Sequence, residues 1–159
     1  MRLFSTFLLG VTAGLRSMSG PAAAAKAARR VEASGVAPFL DKVNLPAILA
    51  MLALGEMLAD KLPFMPDRKA PPAFAWRVVA GALSAAAVTS REDSLALSVI
   101  AGAAGAVTGT LGGSALRARL AEMFHHDFPA ALVEDALVVT LAALAAKGLE
   151  AHEGSPVSA

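Results

Sequence analysis

Hydrophobic and polar residues are not interleaved along this chain; they fall in blocks. The longest block without a charge runs from Ser94 to Leu116, 23 residues, and at about 1.5 Å of rise per residue a helix of that length covers the ~30 Å hydrocarbon core of a bilayer. Four more blocks share its character while holding a few ionisable residues. Leu3 to Ala25 contains Arg16; Asn44 to Leu62 contains Glu56, Asp60 and Lys61; Pro72 to Ser90 contains Arg77; Phe128 to Ala146 contains Glu134 and Asp135. A soluble alanine-rich bundle would carry a charged stripe opposite each apolar face, and neither Ser94–Leu116 nor Val78–Val88 has one. The pattern predicts an all-α fold, a polytopic membrane helix bundle of about five hydrophobic segments.

The connections between blocks are short and polar. Lys26 to Lys42 groups six charged residues with Gly35 and Pro38, and Lys61 to Pro72 holds four prolines, too many for a helix interior. Arg91 to Asp93 reads as a tight turn, and Arg117 to Phe128 as a polar connector containing His125 and His126. Residues 1–147 are then one transmembrane domain, and 148–159 a polar, disordered tail.

The first block is expected to be broken. Gly14, Gly20 and Pro21 bracket Leu15 to Ser19, and proline both lacks an N–H and disfavours helix at the residue before it. Two half-helices should meet there and face inward, because non-helical backbone survives at membrane depth only under cover of protein or a water-filled cavity. Arg2, the apolar run and Ala22 to Ala25 also imitate a secretory signal. Arg16 would interrupt the region before cleavage and further spans follow, so the segment is expected to remain in the mature protein.

Composition narrows the function classes. Hydrophobic residues make up 56% and charged residues 17%, which excludes a disordered chain, and the lack of cysteine excludes a disulfide-stapled domain. Fourteen basic against 13 acidic residues leave a net charge of +1, without the clustered basic face that binds nucleic acid. Placing alternate loops on alternate sides puts 7 Lys and Arg on one side and 6 on the other, so the positive-inside rule selects no orientation. Leu9 to Arg16 echoes Val107 to Gly113, and Pro46 to Leu49 echoes Pro129 to Leu132. Segments one and two would then correspond to four and five, as in the inverted repeats of transporters.

Intramembrane charges carry most of the chemistry, since each costs about 2.5 to 3.5 kcal/mol at a helix centre on insertion scales. Glu56 and Asp60, four apart, share a helix face. Glu56, Asp60 and Arg68 are expected to form one polar network at a membrane face, with either Arg68 or Arg77 supplying the cation that pairs with Glu56. Glu134 and Asp135 lie roughly 8 Å into the last span and point in different directions. Arg16 sits in the break beside the second half-helix. There it can join unpaired backbone N–H groups in binding a carboxylate or phosphate, or it can neutralise Glu56 or Glu134 within the bundle. Gly105, Gly109 and Gly113 line one face of the fourth span, a spacing that lets backbones approach within or between subunits; a homodimer through this face is expected.

Other signals point away from catalysis. A histidine pair with only Glu122 or Asp127 nearby falls short of the three or four ligands zinc needs, and neither a phosphate-binding G-x-x-x-x-G-K-[ST] loop nor a G-x-S-x-G elbow is present. No catalytic residue, metal or cofactor is expected. Trp76 suits an interfacial anchor and Arg68 with Lys69 suit lipid phosphates.

The stretch Glu56-x-x-x-Asp60-Lys61-Leu62-Pro63-x-x-Pro66-x-Arg68, followed by Pro71-Pro72 and Arg77-x-x-x-Gly81-Ala82, resembles the bacterial DUF4126 family of small polytopic membrane proteins. Gly14-Leu15-Arg16 with Pro21, and Pro129 to Asp135, are similar to it as well, and the likeness extends from Leu3 to Ala146. It implies a multi-pass protein of the bacterial inner membrane and brings no activity, catalytic residue or cofactor. The reading that follows is a small transporter or permease for an anionic solute or lipid headgroup, homo-oligomeric in the lipid bilayer, with Arg16 as anion ligand and Glu56 or Glu134 as counter-charge. A structural or assembly-factor role is the alternative, and a membrane enzyme ranks below both.

Overall fold

The computed structural model describes residues 2–28, 45–59, 71–90, 93–124 and 127–153. Among them every regular element is a helix: α1 (Arg2–Leu15), α2 (Ser19–Ala28), α3 (Leu45–Ala59), α4 (Pro71–Ala87), α5 (Leu95–Phe124) and α6 (Asp127–Glu153). Local sequence explains several ends. Pro21 lies in the first turn of α2 and the Pro71-Pro72 pair opens α4, positions where a missing N–H leaves no helical bond unmade. Ser94 caps α5 by accepting a bond from the Leu97 amide at 3.4 Å.

Two helices overrun the polar boundaries expected for them. Residues Arg117 to Phe124, read as connector, continue α5. Residues 148–153, read as tail, continue α6, with Leu149 1% exposed in the core and Gly148 packed on Ser5. Tertiary contact holds the last turns of α6 that polarity alone would have released.

The first segment does break at 16–18, and the chain then turns back on itself. A Cβ placed on Gly20 would lie 2.5 Å from the Cβ of Ala13 and 2.9 Å from the Leu9 carbonyl oxygen, whereas one straight helix would hold Leu9 and Gly20 about 16 Å apart. Thus α1 and α2 form a helical hairpin. It is seated on α5, α4 and α6. Gly10 meets Gly102, Gly14 meets Ala106 and Leu15 meets Gly113, so α1 runs parallel to α5. Gly81 of α4 lies against Gly10 while Arg77 reaches Gly14, and Ser5 lies against Gly148 of α6 while Arg16 reaches Asp135. Hence α4 and α6 are antiparallel to α1.

This arrangement corrects the inverted repeat. Segment one is broken where α5 continues uninterrupted, and the two run parallel rather than opposed. The short glycine-rich matches reflect a shared need for close backbone approach.

Polar and charged side chains are buried alongside the apolar core, and large apolar ones face outward. Buried positions include Arg16, Arg77 and Glu134 with Thr6, Thr12, Ser84, Ser98 and Thr110, whereas Phe4, Met51, Leu83, Ile100 and Val139 are exposed. Among the described residues one helix, Leu95–Leu120, is long and apolar enough to cross a membrane; Leu3–Leu15 and Pro72–Ala87 are shorter apolar helices.

Candidate functional site

The break at the tip of the α1–α2 hairpin creates the polar centre of the molecule. A helix that stops leaves its last carbonyls without partners in the next turn, and here side chains from α4 and α5 supply them. Arg77 Nη1 donates to the Gly14 carbonyl at 3.0 Å and to the Leu15 carbonyl at 3.5 Å. The single Thr110 hydroxyl proton is shared between the same Gly14 oxygen at 3.1 Å and the Ala106 carbonyl of its own helix at 2.8 Å. The turn closes with the Ser19 amide bonded to the Arg16 carbonyl at 3.1 Å, and α2 starts from there.

Arg16 points inward from this turn and is fully buried. Its guanidinium forms a hydrogen-bonded ion pair with Asp135 of α6, whose side chain keeps 17% of its surface. The neighbouring Glu134, 2% exposed, faces Arg117 of α5 at 3.6 Å. Successive residues on a helix point about 100° apart, so α6 offers one carboxylate to the hairpin and the other to α5. With Arg77, three cations and two anions of the described residues meet around the apex.

Four of the residues singled out in the sequence, Arg16, Arg77, Glu134 and Asp135, therefore gather at this apex. Arg16 takes Asp135 as its carboxylate, and Arg77 holds the end of α1. Asp60 and Arg68 lie outside the described residues, and so does the side chain of Glu56; the network expected of them with Arg77 lies outside with them. His125 and His126 are likewise outside, and among the described residues no group of three or more metal-ligating side chains occurs.

Gly105, Gly109 and Gly113 pack helices as their spacing implies, with a partner in the same chain. Cβ atoms there would strike the Phe7 carbonyl, the Val11 carbonyl and the Leu15 side chain. Since α1 fills this face, it is not open to a second copy, and the dimer interface assigned to it is withdrawn.

Arg117 and Thr110 were not singled out in the sequence. Arg117 had a signal: it stands eight residues before His125, as Glu134 stands eight after His126, and such positions face each other in an antiparallel helix hairpin. Thr110 had none, because nothing local marks which threonine meets a broken helix.

A second concavity lies on the other side of α2. A groove of about 610 Å³ runs between α2, α3 and α6 and is bordered by Ser19 at the hairpin end and by Lys26, Lys147 and Glu150 at the other.

No protein-family model, curated protein or solved structure matches the chain.

Proposed function

We propose that the chain is a multi-pass helical protein of the bacterial inner membrane, a small carrier for an anionic solute or lipid headgroup. The membrane reading is supported by the exposure of large apolar side chains on α1, α3, α4, α5 and α6 together with the burial of Arg16, Arg77 and Glu134. In this reading α1–α2 is a re-entrant hairpin, and the other four helices are the remaining hydrophobic segments.

The observation that carries the carrier reading is the buried Arg16–Asp135 pair at a chain break. Irregular backbone at membrane depth is tolerated where it serves a covered or water-lined site, and broken helices with a half-helix N-terminus near a charge are how secondary transporters bind anions. Arg16 is the anion ligand, and Asp135 holds the guanidinium until an incoming carboxylate or phosphate competes for it; the Ser19 and Ala22 amides at the start of α2 are bonded to the Arg16 and Met18 carbonyls and Pro21 has none, so the guanidinium carries the recognition. Glu134 with Arg117 is the second charge pair, able to compensate when Asp135 is displaced.

A structural or assembly role without transport is the second reading, favoured by the zero exposure of Arg16. Uptake of labelled organic and inorganic anions into proteoliposomes separates the two. The parent should transport at least one of them, and the charge-neutral double variant Arg16→Gln/Asp135→Asn should fold yet fail to. A parent inert to the whole panel, with the double variant equally stable, would leave the structural role.

A further inference from the structure

The groove beside α2 has an origin distinct from the Arg16 cluster. Helix α2 has only 10 residues, SGPAAAAKAA, and stands between the longer α3 and α6. Its methyl side chains leave the space between those neighbours unfilled. The walls are carbon, from Ala23 on α2, Ala53 and Leu54 on α3, and Val138 and Ala142 on α6. Ser19 borders the inner end with its hydroxyl shielded from solvent.

The outer end differs in kind. Lys26 and Lys147, both exposed, and Glu150 border it, two cations to one anion among the described residues. Ser19 and Lys26 are seven residues apart, about 10 Å along the helix, so the groove is an apolar slot of roughly that length ending at a positive mouth. An amphiphile with an apolar tail and an anionic head complements both parts. A free anion would leave the walls without a partner. A second copy of the chain is disfavoured, because a two-fold axis along the bilayer normal sets the Lys26 and Lys147 of both copies at one depth.

Resting on the membrane reading above, we propose that this groove seats the headgroup-proximal part of one acyl chain of an anionic phospholipid, its phosphate held by Lys26 and Lys147. Lysines at a membrane surface attract anionic lipid at about 1 kcal/mol each, or about five-fold in affinity. Glu150 at the same mouth keeps the discrimination from growing larger.

The full chain in detergent, titrated with phosphatidylglycerol or with phosphatidylcholine of identical acyl chains, tests this by native mass spectrometry and by the rise in thermal midpoint that a ligand of the folded state produces. The parent should favour phosphatidylglycerol. Lys26→Gln with Lys147→Gln should lower that preference by about five-fold per lysine and weaken phosphatidylcholine, whose phosphate is offset by its own cation, much less, while Ala142→Leu should weaken both lipids. Should Ala142→Leu fail to fold, the exposed lysine pair carries the test by itself. Equal binding of the two lipids by the parent, or an unaltered preference in the lysine variant, overturns the proposal. So does Ala142→Leu changing the number of chains per particle instead of lipid binding. Phosphatidylglycerol preference without anion flux would remove the carrier function alone, and flux without that preference would remove the groove alone.

Discussion

Arg16 and Asp135, 119 residues apart in sequence, form an ion pair that ties the tip of the α1–α2 hairpin to the last helix. Arg77 and Thr110 bond the Gly14 carbonyl at the same tip, so the turn is held from α6, α4 and α5. With Arg117 and Glu134 beside it and Arg77 on the Gly14 carbonyl, the described residues around the break comprise three cations and two anions.

Removing one partner of a buried pair leaves the other charge uncompensated, at a cost of about 3–5 kcal/mol, whereas replacing both by neutral groups costs far less. Arg16→Gln and Asp135→Asn are each expected to lower stability strongly in detergent unfolding titrations, and the double variant to recover most of the loss. Strictly additive effects would show that the two side chains are not energetically coupled.

The glycines of α5 separate into two classes. Gly109 abuts the Val11 backbone, while nothing lies within 4 Å of a Cβ at Gly112. Gly109→Ala must push α1 away, an overpacking expected to cost about 1–3 kcal/mol. Gly112→Ala meets open space and should stabilise by up to about 1 kcal/mol through helix propensity. Thermal midpoints of the two variants check this; equal shifts would contradict the α1–α5 contact.

The break itself was legible in Gly14, Gly20 and Pro21, because proline and glycine act on local backbone. The course of the chain after the break was not, since reversal depends on Gly20 finding Ala13 and on the rest of the hairpin finding α5. Gly105, Gly109 and Gly113 announced a close helix contact, but spacing says nothing of whose backbone arrives. Arg16 plainly needed an anion. Choosing Asp135 over Glu134 depends on the rotation of α6 about its axis, which packing along its whole length sets. Helix ends at Phe124 and Glu153 were misjudged for a related reason: polarity marks where apolar surface stops, not where helical hydrogen bonding stops.

Arg77 and Thr110 share an acceptor, the Gly14 carbonyl. A hydrogen bond to a charged donor contributes about 1.5–3 kcal/mol, so Arg77→Gln should destabilise by that order and Thr110→Val by less. Because either donor still satisfies that oxygen when the other is removed, only the double variant leaves it bare, and the double variant should lose more than the sum of the two. Unfolding free energies from the four-variant cycle give the coupling directly.

The hairpin makes a topological statement that labelling can check. Ser5 lies beside Gly148, and Lys26 borders the groove with Lys147 and Glu150, so both ends of the hairpin reach the C-terminal end of α6. Glu122 belongs to the opposite end, near the close of α5. The chain contains no cysteine, so single cysteines at Leu3, Lys26 and Glu122 can be introduced into an otherwise silent background. Given insertion in the bilayer, Leu3→Cys and Lys26→Cys should react with an impermeant maleimide from one side and Glu122→Cys from the other. A first segment that crossed the membrane would divide Leu3 from Lys26, and that outcome would rule out the re-entrant hairpin even if every helix in the fold were correct.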